Sequence, residues 1–298
     1  MNKKVIFQRL SIFLIGLPLV LTIVFIKSHA HIAAHCLICL ICGLGACELH
    51  NMFSKKFRLL NKGLTVFLSV LIPFIGAVVI VTPTFVPSFF KPERHFLEYM
   101  TYAFIFAVLT ILAVEVLTAK TFEASNSRIA GSVFIVLYTG YLLTFVSRMT
   151  IFAKNGIDVS SQAIAVFLLM VFLCDSLAWL FGVLLGKNNR GFIKASPNKS
   201  IAGFIGGFIG SIAAGLLGYF FCPALYEGTV LKIIFLSICI AFSSIVGDLA
   251  ESIFKRSSGI KDSGHIIPGR GGVLDSIDSV LMSAPVYYLL VSILYKPY

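Results

Sequence analysis

Long apolar stretches separated by short polar segments make up most of the chain. Stretches of about 20 mainly apolar residues are long enough for a helix to cross about 30 Å of hydrocarbon. Nine stretches of about that length cover residues 10–26, 31–50, 63–83, 100–118, 128–147, 162–185, 201–221, 229–247 and 277–295. The pattern predicts an all-α, polytopic integral membrane protein with about nine transmembrane helices.

The composition agrees with this prediction. Of the 298 residues, 58% are hydrophobic and only 12% are charged, which excludes an ordinary soluble domain. The basic and apolar start of the chain is similar to a signal peptide, but Lys27 follows the apolar run directly, so we interpret it as an uncleaved first span. Glycines in "GFIGGFIGS", residues 203–211, have the spacing of closely packed membrane helices.

The distribution of basic residues predicts the orientation. The chain has 24 Lys and Arg residues against 13 Asp and Glu, and the basic residues lie in short loops between apolar runs. This arrangement argues against nucleic-acid binding and is typical of membrane orientation signals. If the N-terminus is cytoplasmic, 17 of the 24 lie on that side. We therefore expect loops 186–200 and 248–276 to face the cytoplasm.

Two polar features fall at the ends of predicted spans. Asp175 lies inside the sixth span, where a carboxylate costs about 2.5–3.5 kcal/mol, so a functional site or an ion pair is expected there. In "SIVGDLAESIFKRSSG", Asp248, Ser252, Lys255 and Arg256 share one helical face. That face predicts either an acidic and basic site or an interfacial helix that contacts lipid headgroups.

The segment "KDSGHIIPGRGGVLDSID", residues 261–278, is the most polar part of the chain. Its "PGRGG" turn precedes the last span, where backbone N–H groups can bind an anion, although the spacing is not that of a P-loop. Asp275 and Asp278 share a helical face, and together with Asp248 they predict a metal site for a hard divalent cation. The basic residues predicted to hold phosphate are Lys255, Arg256, Lys261 and Arg270. These groups point to phosphoryl or nucleotidyl transfer.

Residues 252–278 resemble the signature of CDP-diacylglycerol synthases, also called phosphatidate cytidylyltransferases. That signature reads S-x-x-K-R, four residues, K-D, then P-G-H-G-G, two residues and D-R-x-D. The segments "DSLAWLFGVLLGK" from Asp175 and "SPNKSIAG" from Ser196 are similar to two further family blocks. The resemblance covers roughly the C-terminal 130 residues and implies a catalytic transmembrane region at residues 161–298, preceded by about five helices in residues 1–160.

The resemblance implies a membrane nucleotidyltransferase of phospholipid biosynthesis, with its polar active site on the cytoplasmic face of the inner (plasma) membrane. It would transfer the cytidylyl group of CTP to phosphatidic acid in the lipid bilayer, with two magnesium ions. The sequence leaves open whether potassium assists and whether the chain forms a homodimer. The implied catalytic residues are Lys255, Arg256, Lys261 and Asp262, the substrate-binding residues are Ser252, Gly269, Arg270, Gly271, Gly272, Asp175, Ser196 and Lys199, and the metal ligands are Asp248, Asp275 and Asp278.

The chain departs from the family pattern at three positions. Arg270 stands where the family has histidine, Ser276 where it has arginine, and Ala202 where it usually has glutamate. Two alternatives remain at this point. A CDP-alcohol phosphatidyltransferase would need the motif D-G-x2-A-R-x8-G-x3-D-x3-D, which is not present. A cation-coupled transporter could use Asp175 and Asp248 as ion ligands, but it would not need the glycine-rich loop.

Overall fold

Helices form almost all the regular structure of the residues described, which are 15–86, 98–267 and 271–298 of a computed structural model. Eight helical segments there are long and apolar enough to cross a membrane. The helices are α1 (Ile15–Phe25), α2 (Ile32–Phe53), α3 (Lys62–Phe85), α4 (Glu98–Thr118), α5 (Ser125–Ile135), α6 (Thr144–Met149), α7 (Ser160–Leu184), α8 (Ile201–Phe221), α9 (Val230–Ser257) and α10 (Leu274–Leu294). The predicted all-α, polytopic membrane fold is confirmed.

Most predicted spans coincide with one helix each. The short helix α1 lies in the first predicted span, whose beginning is outside the described residues. The fifth span contains α5 and α6 with a π-helical segment, Val136–Tyr141, between them. In that segment the Leu142 N–H donates to the Leu137 carbonyl at 3.0 Å, five residues back. The apolar pattern predicted the span but carried no signal for this local widening.

The helices that carry the polar signature are longer than their apolar stretches. Helix α9 continues to Ser257, although its apolar run ends near 247, and α10 begins at Leu274 rather than at 277. The extra turns of α9 contain good helix formers with their charges on one face, so the helix continues where the hydrophobicity ends. The signature side chains on α9 and at the start of α10 are therefore positioned by regular helices.

The chain divides into two compact units. The first contains Met1–Arg148 and Ser257–Ser276, and the second contains Met149–Arg256 and Ile277–Tyr298. The predicted division at 160, with a catalytic region at 161–298, stays a prediction. The segment 257–276, predicted to belong to the C-terminal region, groups with the first unit. A two-stranded hairpin, β1 (Ala153–Lys154) and β2 (Ile157–Asp158), precedes α7 in the second unit.

In the second unit, α7 and α8 pack with their backbones in close contact. A Cβ atom added to Gly206 would lie 2.6 Å from the Leu177 carbonyl oxygen, and one added to Gly210 would overlap the Leu173 carbonyl group. The close packing expected from the glycine spacing is therefore confirmed. Because Asp175 lies on α7 and Lys199 lies two residues before the start of α8, this contact fixes the two backbone segments that carry them.

Helices α9 and α10 of the second unit also approach closely. A Cβ atom on Gly247 would lie 2.5 Å from the Asp278 carbonyl oxygen. Serine hydroxyls connect the same helices, since Ser243 Oγ donates to Ser283 Oγ at 3.2 Å and Ser279 Oγ donates to the Ser244 carbonyl at 3.2 Å. Because these side chains are small, the backbone of Gly247, the neighbour of Asp248, lies close to the backbone of Asp278.

The α7–α8 contact predicts that a glycine-to-alanine substitution lowers the stability more at Gly210 than at Gly207. In Gly210→Ala the new methyl group meets a backbone carbonyl, which cannot move aside, so we expect a loss of about 1–3 kcal/mol. In the control Gly207→Ala the nearest atom is the Cys174 thiol at 3.1 Å, a side chain that can adjust. Thermal unfolding in detergent should give a lower Tm for Gly210→Ala. Equal Tm values would contradict the tight contact.

Candidate active site

Four carboxylates on three helices form an acidic cluster in the second unit. Asp175 belongs to α7, Asp248 and Glu251 to α9, and Asp278 to α10. Asp278 is only 6% exposed, and the carboxylates of Asp248, Glu251 and Asp175 act on it electrostatically. Like charges next to a buried carboxylate are unfavourable unless a cation or a proton compensates them. We call these four residues the acidic cluster.

Hydroxyl and amide groups contact two carboxylates of the acidic cluster. Ser244 Oγ and Ser279 Oγ each lie 3.4 Å from Asp175 Oδ1, which makes both contacts long hydrogen bonds. The Ser279 N–H donates to Asp278 Oδ1 at 2.6 Å. These neutral donors orient two of the carboxylates but supply no positive charge.

Two lysines pair with the other two carboxylates. Lys199 Nζ lies 2.5 Å from Asp248 Oδ2, and Lys255 Nζ lies 2.5 Å from Glu251 Oε2 one turn away on α9. If all four carboxylates were ionised, the two ammonium groups would leave an excess of two negative charges in the cluster. A divalent cation would balance that excess, and the oxygen ligands are those that magnesium prefers.

The other predicted residues of the second unit lie on its helix ends and loops. Ser252 is half-buried and Arg256 is exposed, both in the last turns of α9. Ser196 is half-buried in the loop before α8, where its carbonyl accepts from the Lys199 N–H at 3.1 Å. Their substrate-binding and catalytic roles stay predictions.

The first unit holds the rest of the signature. Lys261 and Asp262 are exposed, whereas Gly272 is buried beside the start of α10. Asp275 Oδ2 accepts three hydrogen bonds from this loop, from Ser263 N at 3.0 Å, Ser263 Oγ at 2.8 Å and Gly272 N at 2.7 Å. Asp275 thus organises the loop around one of its oxygens, and a cation would have to be bound through the other. Its role as a metal ligand stays a prediction.

The two described backbone N–H groups of the glycine-rich turn, those of Gly271 and Gly272, have acceptors within the chain. Gly271 N donates to the Ile267 carbonyl at 2.9 Å and Gly272 N to Asp275. The next two amides, Val273 N and Leu274 N, donate to Glu48 at 3.0 and 2.8 Å. An anion bound at these amides would have to replace one of these acceptors. The predicted residues Gly269 and Arg270 lie outside the described residues.

The donor set of the second unit fits magnesium. In the part of the chain that the structure describes, no three His, Cys, Asp or Glu side chains stand close enough together to enclose a metal ion by themselves. Magnesium does not need such a set, because it commonly takes one or two carboxylates and completes its coordination with water and substrate phosphates. Asp248 and Asp278 could supply that pair.

Sequence reasoning did not select several of these groups. Glu48, Glu251, Ser244 and Ser279 carry contacts of the site but were not candidates. Glu48 had a usable signal, because it is a carboxylate in a predicted span, as is Asp175. Glu251 also had one, because it follows Asp248 by three residues and precedes Lys255 by four. The two serines had none, since small hydroxyl residues are common in membrane helices.

Two known proteins to which this chain is similar carry the same activity name. The chain is 40% identical over 122 residues to the phosphatidate cytidylyltransferase of Staphylococcus haemolyticus (strain JCSC1435). The aligned residues make up 41% of this chain and 46% of that protein. It is 42% identical over 135 residues to the phosphatidate cytidylyltransferase of Helicobacter pylori (strain ATCC 700392 / 26695). These residues make up 45% of this chain and 49% of that protein. The chain thus spans about half the length of the curated relatives it matches.

The family comparison covers nearly the whole chain. The profile of the Cytidylyltransferase family matches residues 7–294, which include every helix described above from α1 to α10. The match therefore includes both units and is not confined to the signature at 252–278. The chain belongs to the cytidylyltransferase family.

Proposed function

We propose that the protein transfers the cytidylyl group of CTP to phosphatidic acid, which forms CDP-diacylglycerol and releases pyrophosphate. The observation that carries the proposal is the excess of carboxylate over ammonium in the acidic cluster, beside Lys199 and Lys255. Family membership and the names of the relatives support the same reaction. The relatives are matched over about half their length, so the activity and substrates are proposed for this chain.

Asp248 and Asp278 would hold magnesium in the second unit. When bound, the ion would neutralise phosphate charge and orient the triphosphate for displacement. Lys199 and Lys255 now pair with carboxylates, and their flexible ammonium groups can turn to phosphate oxygens once the carboxylates have another cation. Arg256, exposed at the end of α9, can add a further charge-assisted contact.

The nucleophile in this reaction requires little activation. The phosphate of phosphatidic acid is ionised at pH 7, and one of its oxygens attacks the α-phosphorus of CTP while the bond to pyrophosphate breaks. The protein therefore needs to align two anions and to stabilise the added charge, rather than to remove a proton with a strong base. A cluster of carboxylates, lysines and hydroxyls suits this task. Two magnesium ions, with or without potassium, and the roles of Lys261 and Asp262 belong to the same proposal.

The reaction implies a location for the site. CTP is a cytoplasmic nucleotide and phosphatidic acid is held in the bilayer by its acyl chains, so the site should open at the cytoplasmic face of the inner (plasma) membrane. The excess of Lys and Arg in loops 186–200 and 248–276 supports this orientation.

The first test of the proposal is transfer of label from [α-³²P]CTP to lipid. Purified protein with phosphatidic acid and magnesium should produce labelled lipid and one pyrophosphate for each lipid formed. Omission of phosphatidic acid or addition of a magnesium chelator should abolish the signal. A folded protein that gives no labelled lipid would contradict the proposed function.

The second test removes one carboxylate of the acidic cluster. Asp278→Asn should lower kcat more than tenfold, or about 1.4 kcal/mol, because it removes a proposed magnesium ligand while keeping the shape of the side chain. Glu227→Gln is the control, since Glu227 is an exposed carboxylate that pairs with Lys154 in the same unit. Activity of Asp278→Asn above a tenth of the wild-type value would contradict the ligand role.

The third test concerns orientation and uses the two ends of α7. Ile157 precedes this helix and Lys187 follows it, and both are exposed. In a background without native cysteines, Lys187→Cys should react with an impermeant thiol reagent from the cytoplasmic side and Ile157→Cys from the opposite side. The reverse pattern would contradict the proposed orientation.

A further inference from the structure

Glu48 is a buried carboxylate far from the signature in sequence. It lies on α2, a helix apolar enough to span a membrane, and is 5% exposed. A carboxylate in such a helix costs about 2.5–3.5 kcal/mol unless its surroundings compensate it. The ion pairs found among the described residues involve other carboxylates, so no basic side chain of that part of the chain compensates Glu48.

The start of α10 compensates Glu48 instead. Val273 N donates to Oε1 at 3.0 Å and Leu274 N donates to Oε2 at 2.8 Å, so each carboxylate oxygen accepts one of the first amides of the helix. These amides would otherwise lack partners within the helix, and the positive end of the helix dipole favours a negative charge there. Glu48 therefore caps α10 across more than 200 residues of sequence.

The glycines of the signature make room for this carboxylate. A Cβ atom on Gly264 would lie 2.9 Å from Glu48 Cδ, and one on Gly272 would lie 2.7 Å from the same atom. Ser263 Oγ, between the two carboxylates, lies 3.2 Å from Glu48 Oε2 and 2.8 Å from Asp275 Oδ2. Two glycines and a serine of the signature loop thus enclose a side chain from α2.

We propose that Glu48 is a positioning residue that holds the 263–275 loop and the first turn of α10, and with them Asp275, in the geometry that the reaction needs. The inference rests on the proposed function for its effect on turnover, but the contacts themselves do not depend on it. If Glu48 were only a substitute for a substrate phosphate, binding would expel a buried carboxylate and leave it without hydrogen bonds in an apolar helix. That cost favours a permanent cap.

Glu48→Gln tests the proposal by two independent measurements. The amide side chain has one acceptor oxygen, so its NH₂ group must face one of the two N–H donors. Hydrogen–deuterium exchange in detergent should therefore become at least tenfold faster in the peptide that contains residues 272–275. Since small displacements of aligned groups are costly to catalysis, kcat should fall about ten- to a hundredfold. The exchange result stands even if the wild-type protein does not transfer label from CTP, which separates the two proposals.

Glu115→Gln is the matched control. Glu115 is 4% exposed, lies on α4 of the same unit and pairs with Arg128, so its substitution also removes a buried charge. It should leave the exchange of residues 272–275 unchanged and keep kcat within about threefold of wild type. If Glu48→Gln does not fold, Glu48→Asp replaces it, because it keeps the charge but is about 1.5 Å shorter and should give the same changes to a smaller extent.

Three outcomes would overturn the proposal. The first is unchanged exchange at residues 272–275 in the Glu48 variant, and the second is equally fast exchange there in Glu115→Gln. The third is faster turnover or a lower KM for CTP in Glu48→Gln, which would show that the carboxylate competes with substrate for the α10 amides. Faster exchange confined to the Glu48 variant, with a fall in kcat, supports it.

Discussion

The need to compensate carboxylates inside apolar helices governs the polar architecture of this protein. Different groups compensate the carboxylates at these positions. Glu48 accepts hydrogen bonds from backbone amides at the start of α10, and Asp175 lies near serine hydroxyls. Glu115 forms an ion pair with an arginine and Glu251 with a lysine. Asp278 is the most demanding case, because among the described residues the charges that act on it are carboxylates and one backbone amide donates to it. An uncompensated charge at that position is the strongest physical reason to place a cation there.

Small residues make this compensation possible. Backbone groups can reach a buried carboxylate only where neighbouring helices lack bulky side chains, and in this chain glycine and serine occupy those positions. Gly247 brings α9 against the Asp278 carbonyl, and Gly272 leaves space for Glu48. The glycine-rich signature therefore serves packing within the protein. Glycines beside a helix N-terminus can thus accommodate an internal acid as well as a bound anion.

The sequence predicted the helices well because hydrophobic length determines a span almost independently of its neighbours. The hydropathy pattern is less informative where a polar segment is helical. It therefore did not predict that α9 extends to Ser257. In the site, Asp175, Asp248 and Asp278 were predicted from their chemistry and spacing, and the structure places all three in one acidic cluster. Glu48 could not be assigned to the α10 amides from sequence, because a contact over more than 200 residues leaves no local pattern.

The chemistry of the basic partners separates structural pairs from those of the candidate site. Arg128 contacts Glu115 through Nε at 3.0 and 2.9 Å and through Nη2 at 2.6 Å, a forked arrangement that holds the carboxylate firmly. The acidic cluster uses lysines instead, with Lys199 Nζ 2.5 Å from Asp248 Oδ2 and Lys255 Nζ 2.5 Å from Glu251 Oε2. A lysine ammonium is a compact charge on a flexible stem, so it can move between a carboxylate and a phosphate without losing a fixed geometry. Lysine at 199 and 255 therefore suits a site where charges are rearranged during turnover, whereas arginine at 128 suits a pair that stays in place.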